Sequence, residues 1–101
     1  MKIDLKANEI VVKASDTKFL NGSKVPGKMI LTNQRIYFKV KDQEQTNYEL
    51  EITPKEIREV IPFKTSFFSN DGLNIVTKEG DELTFSIDKR NNWCTQLNEL
   101  I

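Results

Sequence analysis

Clusters of turn-forming residues break this chain into short pieces, at intervals of about ten residues. Asn21-Gly22-Ser23, Thr32-Asn33-Gln34, Asn70-Asp71-Gly72 and Glu79-Gly80-Asp81 are such clusters. They are made of residues that tolerate left-handed backbone or hydrogen-bond their own main chain. Several pieces between them alternate apolar and polar side chains. Ile36, Phe38 and Val40 alternate with Arg35, Tyr37, Lys39 and Lys41; Leu73, Ile75 and Thr77 with Asn74, Val76 and Lys78; Leu83, Phe85 and Ile87 with Glu82, Thr84, Ser86 and Asp88. A period of two sends neighbours to opposite faces, so each piece reads as a half-buried strand. Tyr37 is accordingly expected on the solvent face with Arg35, Lys39 and Lys41.

The rest of the chain fills in around these strands. Residues 9–14 begin a strand that can run on through Phe19 and Leu20, and Val25 to Thr32 is a second β-rich run, turned back at Thr32-Asn33-Gln34. Residues 42–47 form a polar loop, and Tyr48, Leu50 and Ile52 share one face of a further strand. Thr53-Pro54-Lys55-Glu56 has the capping-box pattern of a helix start. The helix is one turn, about residues 54–58, because Val60, Ile61 and Phe63 resume a β-type run. Continued in phase through Thr65, that run sends Phe67 inward. After Asp88, an expected helix cap, the period changes. Trp93, Cys94, Leu97, Leu100 and Ile101 make one apolar stripe of a C-terminal helix. About seven strands and one helix predict a mainly β fold, a seven-stranded antiparallel sandwich or partly open barrel capped by that helix.

Composition removes several function classes. The 101 residues suit a single domain, 1–101. One cysteine permits no internal disulfide, and the first twelve residues have no apolar signal core, so a cytoplasmic protein is expected. There is no histidine, the commonest general base and metal ligand. Cys94 lacks an activating partner and is expected in the core. No carboxylate pair or glycine-rich loop demands a site, so no catalysis, cofactor or metal is expected. The net charge is zero and the pI about 6.3, poor for a nucleic-acid partner. The charge is nevertheless unevenly spread: residues 1–41 carry nine Lys/Arg against three Asp/Glu, and residues 42–101 six against twelve.

The pattern Gly27-x-x-x-Leu31-Thr32-Asn33-x-Arg35-Ile36-Tyr37-Phe38 resembles the second and third strands of the GRAM domain family, within the pleckstrin-homology-like superfold. The TPKEIREV segment, the hairpin of residues 72–87 and the terminal helix are similar to later pieces of that family, in the same order. The resemblance implies a binding module at a membrane or on a protein, and the wider superfold includes phosphoinositide readers.

Residues at the first turn fit an anionic partner only partly. Lys13, Lys18, Lys24, Lys28 and Arg35 are the candidate anion ligands. The paired arginines of inositol-phosphate binders are absent, and 42–44 and 79–82 are acidic, so a specific phosphoinositide site is not expected. Phe67 and Phe68 are the candidate apolar anchor, and Tyr37 a further partner contact. Three binding readings stay open: a module docking a protein or peptide, for instance by strand addition; a peripheral membrane binder through the lysines; and a self-associating scaffold, a homo-oligomer.

Overall fold

In the computed structural model, which describes residues 4–20 and 22–101, the turn clusters separate seven antiparallel strands. They are β1 (Val11–Leu20), β2 (Lys24–Thr32), β3 (Ile36–Val40), β4 (Leu50–Ile52), β5 (Ile57–Phe63), β6 (Gly72–Thr77) and β7 (Glu82–Ile87), followed by the helix α1 (Arg90–Leu100). Asn21, in the first expected turn, lies outside the described residues, as do residues 1–3 of the expected N-terminal segment.

The strands form one sheet in the order β4-β3-β2-β1-β7-β6-β5. β1 is the hinge of this arrangement. It pairs with β2 along its length but meets β7 only through Thr17–Phe19. The two halves fold towards each other across that crossing. Phe38 on β3 lies 5.6 Å from Phe85 on β7, and Phe19 packs 5.5 and 5.0 Å from the same two rings. The sheet does not close, and β4 and β5 remain its edges.

The helix fills the open side. Trp93 and Leu97 have no solvent exposure, and the Trp93 indole N–H donates to Ser15 Oγ at 3.1 Å. Arg90 ties the first turn down, donating to the carbonyls of Phe63 (2.7 Å) and Gly72 (2.9 Å). The residue at the helix N-cap is Lys89, in left-handed conformation at φ 53°, and not Asp88. Cys94 is half-buried at the rim of the core and not within it.

Close packing of β2 against β3 explains the glycine that opens the β2–β3 pattern, Gly27. β3 runs so close that a Cβ there would lie 2.6 Å from the Phe38 ring, so only glycine fits without movement.

Three further local expectations are corrected. Tyr48 ends a 3-10 segment, Gln43–Tyr48, so β4 starts only at Leu50. Tyr37 is 3% exposed and does not face solvent. In β5 the register shifts between Ile57 and Glu59. Ile57 and Val60 therefore point inward and Ile61 outward, at 40% exposure. The strand then stops at Phe63, and the phase that would carry Phe67 inward does not exist.

Candidate functional site

Arg35 was a candidate anion ligand; it is spent inside the fold. Its guanidinium makes two 2.7 Å hydrogen bonds to the Glu9 carboxylate and a 3.0 Å ion pair with Glu51. It also stacks on the Tyr37 ring at 4.4 Å. Lys39 lies over the same ring at 5.6 Å, which is why Tyr37 is covered despite its outward phase. Burial alone would raise the pKa of Glu9. Hydrogen bonds from Arg35, Thr32 and the Lys6 amide, with the Arg35 charge, outweigh it and bring the carboxyl from 4.5 down to about 2. The neighbouring turn residues act on the same segment. Asn33 accepts from the Ile10 amide (2.8 Å) and donates to the Asn8 carbonyl (3.0 Å), and Gln34 donates to the Ala7 carbonyl (3.0 Å). The Thr-Asn-Gln-Arg turn is thus a clasp for residues 4–10.

The four candidate lysines do not form one patch. Side chains alternate along β1, so Lys13 shares the inner face with Phe19 and lies 5.6 Å from the Trp93 ring. Lys18 and Lys28 project from the outer face, Lys28 in register between Asp16 and Lys39. Lys18 and Lys24 do come together. They border a cleft of about 330 Å³ on the outer face where β1 crosses β7.

The far wall of that cleft is the loop between β5 and β6, and its geometry was hidden from sequence reading. Ser69 N–H donates to the Ser66 carbonyl at 3.2 Å, and Thr65 N–H to the Ser69 carbonyl at 3.1 Å. Phe67 and Phe68 are therefore the two central residues of a hydrogen-bonded β-turn, whose side chains project outward. They are 83% and 91% exposed. Their rings pack edge to face at 5.0 Å, and the Lys64 ammonium lies 5.9 Å from Phe67. The base of the turn is held by Asp71, which accepts hydroxyl hydrogen bonds from Thr65 and, at 2.7 Å, from Ser86. These two bonds, assisted by the charge of Arg90, hold its pKa below the usual carboxylate value against the effect of partial burial. Asp71, Thr65, Ser86 and Lys64 were not singled out from sequence. Lys64 beside the two phenylalanines was the available signal.

Two connections are acidic: Glu79, Asp81 and Glu82 lie in and beside the β6–β7 turn, and Asp42 and Glu44 in the β3–β4 connection, which leaves β3 beside the start of β2. A wider groove of about 480 Å³ runs on the other side of Asp71 to the start of α1, but its arginine, Arg90, is committed to the Phe63 and Gly72 carbonyls. Among the described residues no group of three metal-ligating side chains occurs, and no helix is long and apolar enough to cross a membrane.

An open seven-stranded antiparallel sheet with a C-terminal helix plugging it is a pleckstrin-homology-like fold. Solved structures agree. The chain superposes on the C-terminal domain of an unknown protein from Leishmania infantum with TM-score 0.80 at 16% identity, covering 93% of this chain and 85% of that one. It superposes on the Vps36 N-terminal PH domain with TM-score 0.68 at 18% identity, covering 95% and 84%. On the Slm1 PH domain solved with inositol-4-phosphate the TM-score is 0.67 at 16% identity, covering 89% and 96%. Within that fold the chain belongs to the GRAM domain family, whose model matches residues 1–99. No curated protein matches its sequence.

Proposed function

We propose that this chain is a non-catalytic module that docks reversibly on an anionic membrane surface, led by the Phe67–Phe68 turn. The observation that carries this reading is the exposure of two adjacent phenylalanines on a turn held by its own hydrogen bonds. Among the described residues the two rings are paired with each other and stay largely exposed, so the tip needs no rearrangement to enter a bilayer. Lys18, Lys24 and Lys64 stand behind it and form no ion pair among the described residues. Inserting two phenylalanines is worth roughly 3–6 kcal/mol, and three lysines near an anionic surface contribute about 1 kcal/mol each. Together these reach the micromolar range of a reversible contact. That the Slm1 PH domain was solved with inositol-4-phosphate and with phosphoserine supports headgroup contact as a use of this fold.

Sedimentation with phosphatidylcholine vesicles containing phosphatidylserine, at low salt, tests the reading. The protein is expected to pellet, to release as salt rises, and to bind at least about tenfold more weakly with Phe67→Ser and Phe68→Ser together. Wild-type protein remaining in the supernatant at low salt would sink the proposal.

A second reading, docking of a peptide, is favoured by β1. Among the described residues, Val11–Asp16 have β2 on one side and no strand on the other, and Ile10, Val11 and Val12 are exposed beside that edge. An added strand is the occupant such an edge takes. Backbone amide shifts on peptide addition, confined to residues 11–16, would support it, and shifts elsewhere would oppose it.

A further inference from the structure

We infer that the open edge of β1 takes an extended peptide carrying an aliphatic side chain and, two residues from it, a lysine or arginine. The inference rests on the second reading, strand addition at that edge, and names the chemistry of the strand that is added.

The edge and a groove beside it form one surface. Apart from the ladder with β2, the backbone groups of Val11–Ser15 make no hydrogen bond among the described residues. α1 runs alongside, from Trp93, which meets Lys13 and Ser15, to Glu99 and Leu100, which border a groove with Val12. The groove measures about 220 Å³, and Leu31 lies at its base. Val12 sits at the register shift of β1, exposed, and Leu100 is half-buried. An added strand presents every second side chain to one face. One aliphatic side chain on that face fills the space between Val12, Leu31 and Leu100.

Charge selects the next side chain on the same face. Glu99 is exposed and forms no ion pair among the described residues. Lys13 lies over the Trp93 ring at 5.6 Å, towards the other end of α1. On the outer side of the edge, Asp16 is exposed and meets Lys41 only at 3.8 Å. Carboxylates thus flank the edge. A strand that brings an ammonium or guanidinium to Glu99 gains a charge-assisted contact, and one that brings a carboxylate there meets repulsion.

A second copy of the chain is the poorer occupant. Two β1 edges paired antiparallel about Lys13 would set two ammoniums opposite each other, which is destabilising. Paired about Ala14, they would bring Asp16 of each to the level of Val12 and Glu99, carboxylate to carboxylate. A peptide on this edge is compatible with membrane docking, because β1 carries the chain about 20 Å from Val12 to Lys18 at the cleft behind the aromatic turn.

The test is an amide-shift titration with two end-blocked heptapeptides, Thr-Thr-Lys-Thr-Ile-Thr-Thr and the reverse order, Thr-Thr-Ile-Thr-Lys-Thr-Thr, one for each strand direction. At millimolar concentration one of them is expected to shift the backbone amides of Val11–Asp16, with the methyl signals of Val12 and Leu100 moving together with them. Its counterpart with Glu in place of Lys is expected to bind at least about threefold more weakly, and Glu99→Lys to reverse that order. Val12→Ser is expected to weaken the Lys peptide about fivefold. Equal binding of the Lys and Glu peptides overturns the charge assignment and leaves strand addition standing. No shift at Val11–Asp16 overturns both, as do shifts confined to the β5 edge, Ile57–Phe63. If Glu99→Lys does not fold, the wild-type comparison decides alone. A dimer of the free protein whose dilution shifts the same amides would assign the edge to a second copy and overturn the peptide.

Discussion

Arg35 and Glu9 show how one residue pair sets what its neighbours can do. The pair is buried, so removing one partner leaves an unmatched charge in a poorly solvated place. Arg35→Ala is expected to lower the Tm by on the order of 10 °C or more in a thermal melt, and to release residues 4–10 to rapid amide exchange. The pH dependence follows from the depressed carboxyl. Its pKa is about 2 in the fold and 4.5 ordinarily, so as pH falls the unfolded chain takes up the proton first. The stability linked to Glu9 is therefore complete above about 4.5 and lost between there and about 2. Glu9→Gln is expected to flatten that part of the stability profile; an unchanged acid limb would contradict the assignment. Gly27 is constrained by packing in another way. A methyl group there collides with the Phe38 ring, and Gly27→Ala is expected to cost about 1–3 kcal/mol in urea unfolding.

Among the elements, the helix is the one whose packing carries the open sheet. Trp93 is fully buried, and Trp93→Ala is expected to destabilise by about 3–5 kcal/mol in urea unfolding, with β5 and β6 losing exchange protection first. The strands were legible because period-two alternation is a local signal, and it survives in β3, β6 and β7. The helix stripe was legible for the same reason. What sequence could not supply came from contacts between distant segments. The outward phase of Arg35 and Tyr37 was read correctly, but residues 4–10 return to claim Arg35, which in turn covers Tyr37. The register shift in β5 reverses the inward phase, and only pairing with β6 reveals it. Of the candidate anion ligands, Lys18 and Lys24 converge because β1 crosses β7 beside the β5–β6 loop. That crossing is also what brings Asp71 to them, and no spacing in the sequence encodes it.

At the scale of the whole molecule, Lys18 and Lys24 border the cleft behind the aromatic turn, and Lys64 lies beside Phe67. An anionic surface that engages these cations together with the two rings would orient the domain as well as attract it. Because Phe67 and Phe68 are exposed and outside the core cluster, their replacement by serine is expected to leave stability within about 0.5 kcal/mol while weakening vesicle binding at least about tenfold. The most direct measurement is the broadening of backbone amide signals by spin-labelled phosphatidylcholine in bicelles containing phosphatidylserine. Broadening centred on residues 64–69 and reaching Lys18 and Lys24 is the expected result. Broadening centred on residues 42–49 and 78–82, or none at Phe67 and Phe68, would contradict docking through the aromatic turn.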